Sequence, residues 1–261
     1  MPAKTALVLS AGGMFGAYQA GAWRELSSRF QPDLVVGASA GALNGWAIAG
    51  GCPPDELIRR WNDPTSSAFL KPQSPIRWWR GLFDDVSFSS HVREFFSSFT
   101  PRIPCGIVIT DLFRRSPRLV TAPAITWQHL AASAAIPIAL PPVRIDGRWY
   151  VDGGLLNLLP VWAAAEMGAT RVVAVNALPV LPSRLLRAGA RVLHFFSPRI
   201  PPPGSLEVIL IQPAASLGTL KESVHWNRDN TQRWIEHGAE DACRVIQSVP
   251  TGPDFIPCVL Q

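Results

Sequence analysis

Short runs of apolar residues alternate along this chain with longer segments whose apolar positions recur every three or four residues. Residues 5–10 (TALVLS) and 33–38 (DLVVGA) are apolar runs of strand length, and the segments that follow them, 15–30 and 40–51, have helical spacing. Strand, helix, strand and helix in this order predict a mainly parallel sheet with helices on both faces.

The same alternation continues to the end of the chain. Further strands are expected at 106–112, 116–122, 171–177 and 207–213, helices at about 126–136, 160–167 and 228–248, and a hairpin at 143–154 around Asp146-Gly147. Two stretches interrupt the pattern: 63–104 is rich in proline, serine and aromatic residues, and 178–204 contains six prolines and four arginines. We interpret residues 1–261 as one domain with two excursions from the sheet.

Composition limits the classes of protein that this chain can belong to. Of 261 residues, 48% are hydrophobic and 16% charged, which is typical of a globular protein with a large core. The net charge of +5 suits an anionic membrane surface, but no helix interleaves basic and aromatic residues, so nucleic acid is not predicted as a partner. The first residues lack a signal peptide, no run reaches about 20 apolar residues, and the four cysteines show no CxxC spacing. These features predict a cytoplasmic location and reduced thiols.

The segment VVGASAGALNGW, residues 35–46, contains the first candidate for chemistry. Ser39 lies between Gly37 and Gly41, at the turn between a predicted strand and a predicted helix. This G-x-S-x-G pattern is typical of a nucleophile elbow, in which the serine hydroxyl is lifted out of the sheet and only glycine fits two positions to either side. The alternative is a glycine-rich turn with an incidental serine.

A second glycine-rich segment, SAGGMFGAYQAG at residues 10–21, follows the first predicted strand. The glycine pair, Gly12 and Gly13, exposes backbone amides that are candidate donors to the oxyanion of an acyl-transfer intermediate. The glycine spacing departs from G-x-G-x-x-G and no acidic residue ends the second strand, which disfavours a dinucleotide site. On this interpretation, a side chain at Gly13 would cost activity with little loss of stability.

A third motif, YVDGG, places Asp152 before Gly153 and Gly154. Alone, this aspartate would be interpreted as a turn residue. Together, a glycine-rich loop, G-x-S-x-G and a late D-G-G in this order resemble the bacterial patatin-like phospholipase family. The stretch at 131–160 fits that family over its whole length, and the likeness covers residues 5–177 well.

This resemblance implies a three-layer α/β/α sandwich and a serine esterase or phospholipase A that acts on a lipid or ester substrate without a metal or other cofactor. It implies that Ser39 is the nucleophile and that Asp152 is the base. It also implies that the amides of Gly12, Gly13 and Met14 form the oxyanion hole, in a loop whose last motif glycine is Gly16. The chain departs from the family pattern in this loop, where Ala11 replaces a glycine and Phe15 replaces an arginine or lysine.

Three other interpretations remain open from the residues. An α/β-hydrolase would follow the order Ser, Asp, His and would draw on His194, His225 or His237, although no motif surrounds any of them. A lipid-binding protein with weak catalysis is the second alternative, motivated by the altered glycine loop. The third is acyl transfer to an acceptor other than water, which would use the same residues.

Two segments are candidates for peripheral membrane contact. Residues 76–83 (IRWWRGLF) place two tryptophans between arginines, and residues 183–196 alternate arginine with apolar residues. Both can equally be helices that cover the sheet. The stretch at 178–204 is also a candidate lid over the site. The sequence leaves the oligomeric state open.

Overall fold

A mainly parallel sheet forms the centre of the molecule in a computed structural model, which describes residues 4–63, 84–137, 139–179 and 206–248. Its strands are β1 (Thr5–Leu9), β2 (Leu34–Ala38), β3 (Cys105–Asp111), β4 (Ser116–Thr121), β5 (Val143–Ile145), β6 (Arg148–Val151), β7 (Arg171–Val175) and β8 (Glu207–Ile211). The order is β5-β6-β3-β2-β1-β7-β8, and β4 pairs with β3. The strands from β3 to β8 along this order are parallel, whereas β4, β5 and β6 pair antiparallel. The predicted strands and the hairpin are confirmed.

The helices are α1 (Gly16–Leu26), preceded by a 3-10 turn at Gly13–Phe15, α2 (Ala40–Ala49), α3 (Pro54–Asn62), α4 (Asp85–Ser97), α5 (Trp127–Ser133), α6 (Val161–Glu166), α7 (Leu220–Val224) and α8 (Arg228–Ser248). The patterned helices α1, α2, α5, α6 and α8 lie where the sequence predicts them. The chain pattern did not predict α4, which lies inside the stretch 63–104. Its N-cap, Asp84, accepts hydrogen bonds from the amides of Val86 and Ser87.

Alternation along the central strands divides the core into two layers. Leu7 and Leu9 of β1 face a cluster that includes residues of α1, α2, α5 and α8, whereas Ala6 and Val8 face a cluster that includes α6. Strand side chains alternate between the two faces of a sheet, so both faces are buried. The predicted arrangement of helices on both faces of a mainly parallel sheet is therefore confirmed.

Helix α1 is held close to α8 by two glycines. A Cβ at Gly21 would overlap with the backbone of Ile235, and one at Gly238 would overlap with the backbone of Tyr18. The Tyr18 hydroxyl also donates a 2.8 Å hydrogen bond to Asp241 of α8. This packing fixes the position of α1 and of the glycine loop that precedes it.

Several expectations concern parts of the chain that these ranges leave out. The segments 76–83 and 183–196, nearly all of 178–204, His194 and Cys258 lie outside the described residues. Within the described ranges, none of the helices is both long enough and apolar enough to cross a bilayer. Cys52, Cys105 and Cys243 are free thiols, and the first two are buried.

Candidate active site

Ser39 occupies the turn between β2 and α2 and has a strained backbone. Its φ of 55° and ψ of −125° lie in a region that residues with a side chain rarely adopt. An added Cβ at Gly37 would overlap with the backbone of Gly41, and one at Gly41 would overlap with the backbone of Leu9 and Ser10. The strand and the helix therefore pass each other at a distance that only glycine permits at both positions.

The register of β2 against β3 sets the position of Ser39 along the strand direction of the sheet. Strand β2 runs parallel to β3 and ends with Ala38 opposite Val108. Ser39 is the next residue and therefore reaches the level of Ile109. Beyond this point, β2 leaves the edge of β3 unoccupied.

Strand β6 takes up that edge of β3. Its Val151 pairs antiparallel with Thr110, while β4 lines the opposite edge of β3 from Gly106 to Asp111. Asp152 follows Val151 and therefore also arrives beside Ile109, from the opposite direction to Ser39. Two motifs separated by more than a hundred residues meet here because both strands pair with β3.

The Asp152 side chain is buried beside Ser39. Its Oδ1 accepts a 2.7 Å hydrogen bond from the amide of Gly154, and its Oδ2 is buried without a hydrogen-bond partner of ordinary geometry in the described part of the chain. Burial raises the pKa of this carboxyl group from its usual 3.8 to about 6, and the nearby Ser39 hydroxyl and the Gly154 amide offset part of that rise. The carboxylate can therefore accept a proton near neutral pH.

Ser133, at the end of α5, joins the two motifs through hydrogen bonds. Its hydroxyl accepts from the amide of Ser39 at 3.0 Å and donates to the carbonyl of Val108 at 2.7 Å. Its carbonyl accepts from the amide of Gly153 at 3.0 Å. A Cβ at Gly153 would overlap with the Val108 carbonyl, so the D-G-G turn lies directly against β3. No sequence motif indicated this role for Ser133.

The glycine loop borders the same site. Gly13 has a φ of +56°, and a Cβ there would overlap with the carbonyl oxygen of Ser223. The expectation that a side chain at Gly13 is tolerated without loss of stability is therefore wrong. Among the described residues, no hydrogen-bond acceptor contacts the amides of Gly12, Gly13 or Met14. Gly13 and Met14 line a cavity together with Ser39, whereas Gly12 is not among its lining residues.

The two departures from the family pattern have structural counterparts. Phe15 is fully buried and packs edge-on against Trp234, with ring centroids 4.9 Å apart. Ala11 donates its amide to the carbonyl of Leu158 at 2.8 Å and adopts a negative φ. A Cβ added at Gly154 would overlap with the Cβ of Ala11. The loop thus accepts an alanine, and its aromatic residue belongs to the core.

A buried amide pair fixes both ends of the glycine loop. Gln19 of α1 donates from Nε2 to the carbonyl of Ser10 at 2.7 Å. Asn44 of α2 donates from Nδ2 to the carbonyl of Gly16 and to Gln19 Oε1, both at 2.9 Å, and accepts from the indole of Trp61 at 3.0 Å. Every polar atom of the two amides is thereby paired. The chain pattern offered no sign of this network.

The cavity beside Ser39 has a volume of about 230 Å³ and a mostly apolar wall. Its apolar residues come from α2, α3, α4 and the segment around α5: Leu43, Leu57, Phe88, Phe95, Ala134 and Ile136. Charged or polar side chains also line it: Asn44, Arg60, Asp63, His91, Glu94 and Ser98. A mostly apolar cavity next to a serine is suited to a hydrocarbon chain.

Of the histidines proposed for a triad, His225 and His237 do not line this cavity, and His194 lies outside the described residues. His225 and His237 are exposed. His91 of α4 does line it, and its Nδ1 makes a 2.6 Å hydrogen bond with the carbonyl of Ser87. A carbonyl only accepts, so Nδ1 carries the proton. His91 was not among the predicted site residues because α4 was not predicted. Among the described residues, no cluster of histidine, cysteine and carboxylate side chains is placed to hold a metal ion.

Comparison with known proteins points to one family. A family model described as patatin-like phospholipase matches residues 7–165. The chain is 29% identical over 183 residues to patatin-like phospholipase domain-containing protein 7 of Rattus norvegicus, an alignment covering 66% of this chain and 13% of that protein. It is also 29% identical over 184 residues to an uncharacterised NTE family protein of Mycobacterium tuberculosis, covering 66% and 49% of the two chains. The chain thus spans at most about half the length of these relatives.

One solved structure supports the fold. VipD from Legionella pneumophila superposes with a TM-score of 0.58 at 14% sequence identity, covering 95% of this chain and 67% of that one. At this identity the likeness concerns the fold alone.

Proposed function

The chain belongs to the patatin-like phospholipase family, and on this premise we propose that it is a serine hydrolase of lipid carboxylic esters, with Ser39 as nucleophile and Asp152 as base. The observation that carries the proposal is the meeting of the two side chains beside Ile109, where Asp152 Oδ2 is buried without a partner of ordinary geometry in the described part of the chain. Such an oxygen is poised to accept a proton, and the serine hydroxyl lies next to it.

Acylation begins with attack of Ser39 Oγ on the ester carbonyl. As the new bond to carbon forms, the hydroxyl proton passes to Asp152 Oδ2. A pKa of about 6 makes this carboxylate a stronger base than an ordinary aspartate, while it stays ionised at neutral pH. The protonated Asp152 then returns its proton to the departing alcohol, and an acyl-serine remains.

The tetrahedral intermediate places a negative charge on the former carbonyl oxygen. Gly13 and Met14 line the cavity with Ser39, and among the described residues neither their amides nor that of Gly12 has an acceptor. We assign the oxyanion hole to these donors. The amino end of α2 starts at Ala40 in the same cavity and adds a favourable dipole.

Deacylation reverses the order of events. A water molecule attacks the acyl-serine, gives its proton to Asp152 and releases the carboxylic acid as Ser39 Oγ recovers the proton. Since the same base serves both steps, no histidine is required. The apolar wall from α2 to α5 would hold the acyl chain during both steps.

The proposal is tested by labelling with a fluorophosphonate, which reacts with activated serines and needs no lipid. We expect a single adduct on Ser39, mapped by peptide mass spectrometry. Ser39→Ala should remove both the label and the hydrolysis of a soluble p-nitrophenyl ester. Asp152→Asn should lower turnover by at least about 10², whereas Asp229→Asn, at an exposed aspartate of α8, should be silent.

Three different results would point to a different site or activity. A stable adduct elsewhere, or substantial turnover by Ser39→Ala, would refute the assignment. Absence of both labelling and turnover would favour a lipid-binding protein without catalysis. If Ser39 is labelled rapidly but the ester is consumed only when an acceptor alcohol is added, the same residues carry out acyl transfer.

A further inference from the structure

Two turns project together past the active-site end of the sheet. Strand β3 continues from the level of Ile109 to Asp111, about 7 Å further at 3.3 Å per residue. There, the amide of Leu112 donates to the carbonyl of Trp149 at 3.0 Å, which joins the β3–β4 turn to the β5–β6 hairpin. We call residues 112–118 and 143–149 the arginine–aromatic edge. It projects from the same end of the sheet as Ser39.

Large apolar side chains are exposed on this edge. Phe113 is 75% exposed, the highest value for a large apolar side chain in the described part of the protein, and Leu112 and Trp149 are 38% and 39% exposed. The turn itself is well defined, because Asp111 Oδ1 accepts from the amides of Phe113 and Arg114 at 3.1 and 2.9 Å. Phe113 is therefore held outward by an ordered turn.

Positive charge surrounds these apolar residues. Five exposed arginines belong to the arginine–aromatic edge: Arg114, Arg115, Arg118, Arg144 and Arg148. The acidic residue of the same two segments is Asp146, at the hairpin turn. Within the described residues, none of the five forms an ion pair, and Arg118 donates to the Tyr150 hydroxyl. The edge therefore combines a net positive charge with exposed apolar surface.

We propose that the arginine–aromatic edge docks on an anionic lipid bilayer, with the Ser39 end of the sheet turned toward the lipid. Arginines gain from anionic headgroups, and phenylalanine, tryptophan and leucine gain from insertion at the boundary of the hydrocarbon. A nucleic acid would satisfy the arginines but offers no apolar phase for Leu112 and Phe113. This inference rests on the proposed function, because a lipid hydrolase must meet its substrate in the bilayer.

Vesicle flotation tests the proposal on the full chain carrying Ser39→Ala, so that no lipid is consumed. Vesicles of an equal mixture of phosphatidylcholine and phosphatidylglycerol should bind this protein, and vesicles of phosphatidylcholine alone should bind it much more weakly. In that background, Arg114→Glu with Arg148→Glu should lower the partition coefficient at least about 25-fold, because each arginine contributes roughly fivefold or more. Phe113→Ser should lower it about fivefold.

Matched controls change the same charge and apolarity elsewhere. Lys4→Glu with Arg102→Glu makes the same charge change at exposed positions before β1 and β3, the opposite end of the sheet, and Val208→Ser removes an exposed apolar side chain of β8. Both controls should bind anionic vesicles like the parent.

Four results would overturn the proposal: no binding to anionic vesicles, equal binding to neutral ones, equal losses in the control variants, or binding of an RNA duplex through the same arginines without vesicle binding. Failure of the proposed function would be seen separately, as absence of fluorophosphonate labelling of the parent protein in solution.

Discussion

Asp152→Asn should make the protein more stable while it removes activity. The side chain keeps its shape, and an amide oxygen can still accept from Gly154 in place of Oδ1. The amide nitrogen takes the place of the buried Oδ2 and can donate to the hydroxyl of Ser39. The substitution therefore removes a buried charge without removing the contacts around it.

The size of the effect follows from the pKa of the carboxyl group. Raising that pKa from 3.8 to about 6 means that ionising Asp152 in the folded state costs about 3 kcal/mol more than in the unfolded chain. Below the unfolded pKa, both states are protonated and this cost is absent. It grows as the pH rises from about 4 to about 6 and is constant above that range. The variant avoids the cost, so its advantage has the same pH dependence.

The assay is urea unfolding of parent and variant at neutral pH and again near pH 4. We expect Asp152→Asn to unfold with a free energy up to about 3 kcal/mol higher at neutral pH, and with nearly equal free energy near pH 4. Asp229→Asn is the matched control and should show no such dependence. A variant that is less stable at neutral pH, or a difference that does not change with pH, would refute a buried and ionised Asp152.

Three further predictions concern the elements around the dyad. Gly13→Ala should melt several degrees lower than the parent, a loss of about 2 kcal/mol, because its Cβ would overlap with the Ser223 carbonyl at a positive φ. Gly12→Ala meets only ordinary contacts and should melt like the parent, and equal melting of the two variants would contradict this packing. Ser133→Ala leaves the Ser39 amide without its acceptor, so kcat on a soluble ester should fall about tenfold with little change in KM. An unchanged kcat would show that Ser133 does not position the nucleophile. Asn44→Leu removes the buried hydrogen bonds to Gln19 Oε1 and to the Gly16 carbonyl, so it should cost about 2 kcal/mol in urea unfolding and lower kcat. A silent substitution would mean that the glycine loop holds its shape unaided.

The parts of the site that could be predicted are those where local sterics allow few residue types. Ser39 was identifiable because a strand and a helix that cross at a tight turn demand glycine at positions 37 and 41. The sequence signal for Asp152 was weaker, since an aspartate before two glycines is common in turns. Its arrival beside Ile109 depends on how β2 and β6 share one edge of β3, which is long-range pairing that no local pattern encodes.

Other features could not be predicted because they depend on tertiary packing. Ser133 is a small polar residue in an alanine-rich helix, and its role exists only once α5 lies between two loops. Helix α4 lies inside a stretch rich in proline, serine and aromatic residues that was interpreted as an excursion from the sheet, so His91 was overlooked with it. The clash at Gly13 comes from Ser223, more than two hundred residues away.

The pH dependence of kcat/KM on a soluble ester tests the Ser39–Asp152 pair most directly. We predict an acidic limb with an apparent pKa of about 6, because the reaction needs Asp152 as the carboxylate and activity is lost as the pH falls through that value. Since His91 lines the same cavity and is the alternative base, the measurement is repeated with His91→Gln. A limb that stays at the same pH in His91→Gln supports Asp152 as the base. A limb that disappears in His91→Gln, or one that lies near the pKa of an exposed aspartate, would contradict it.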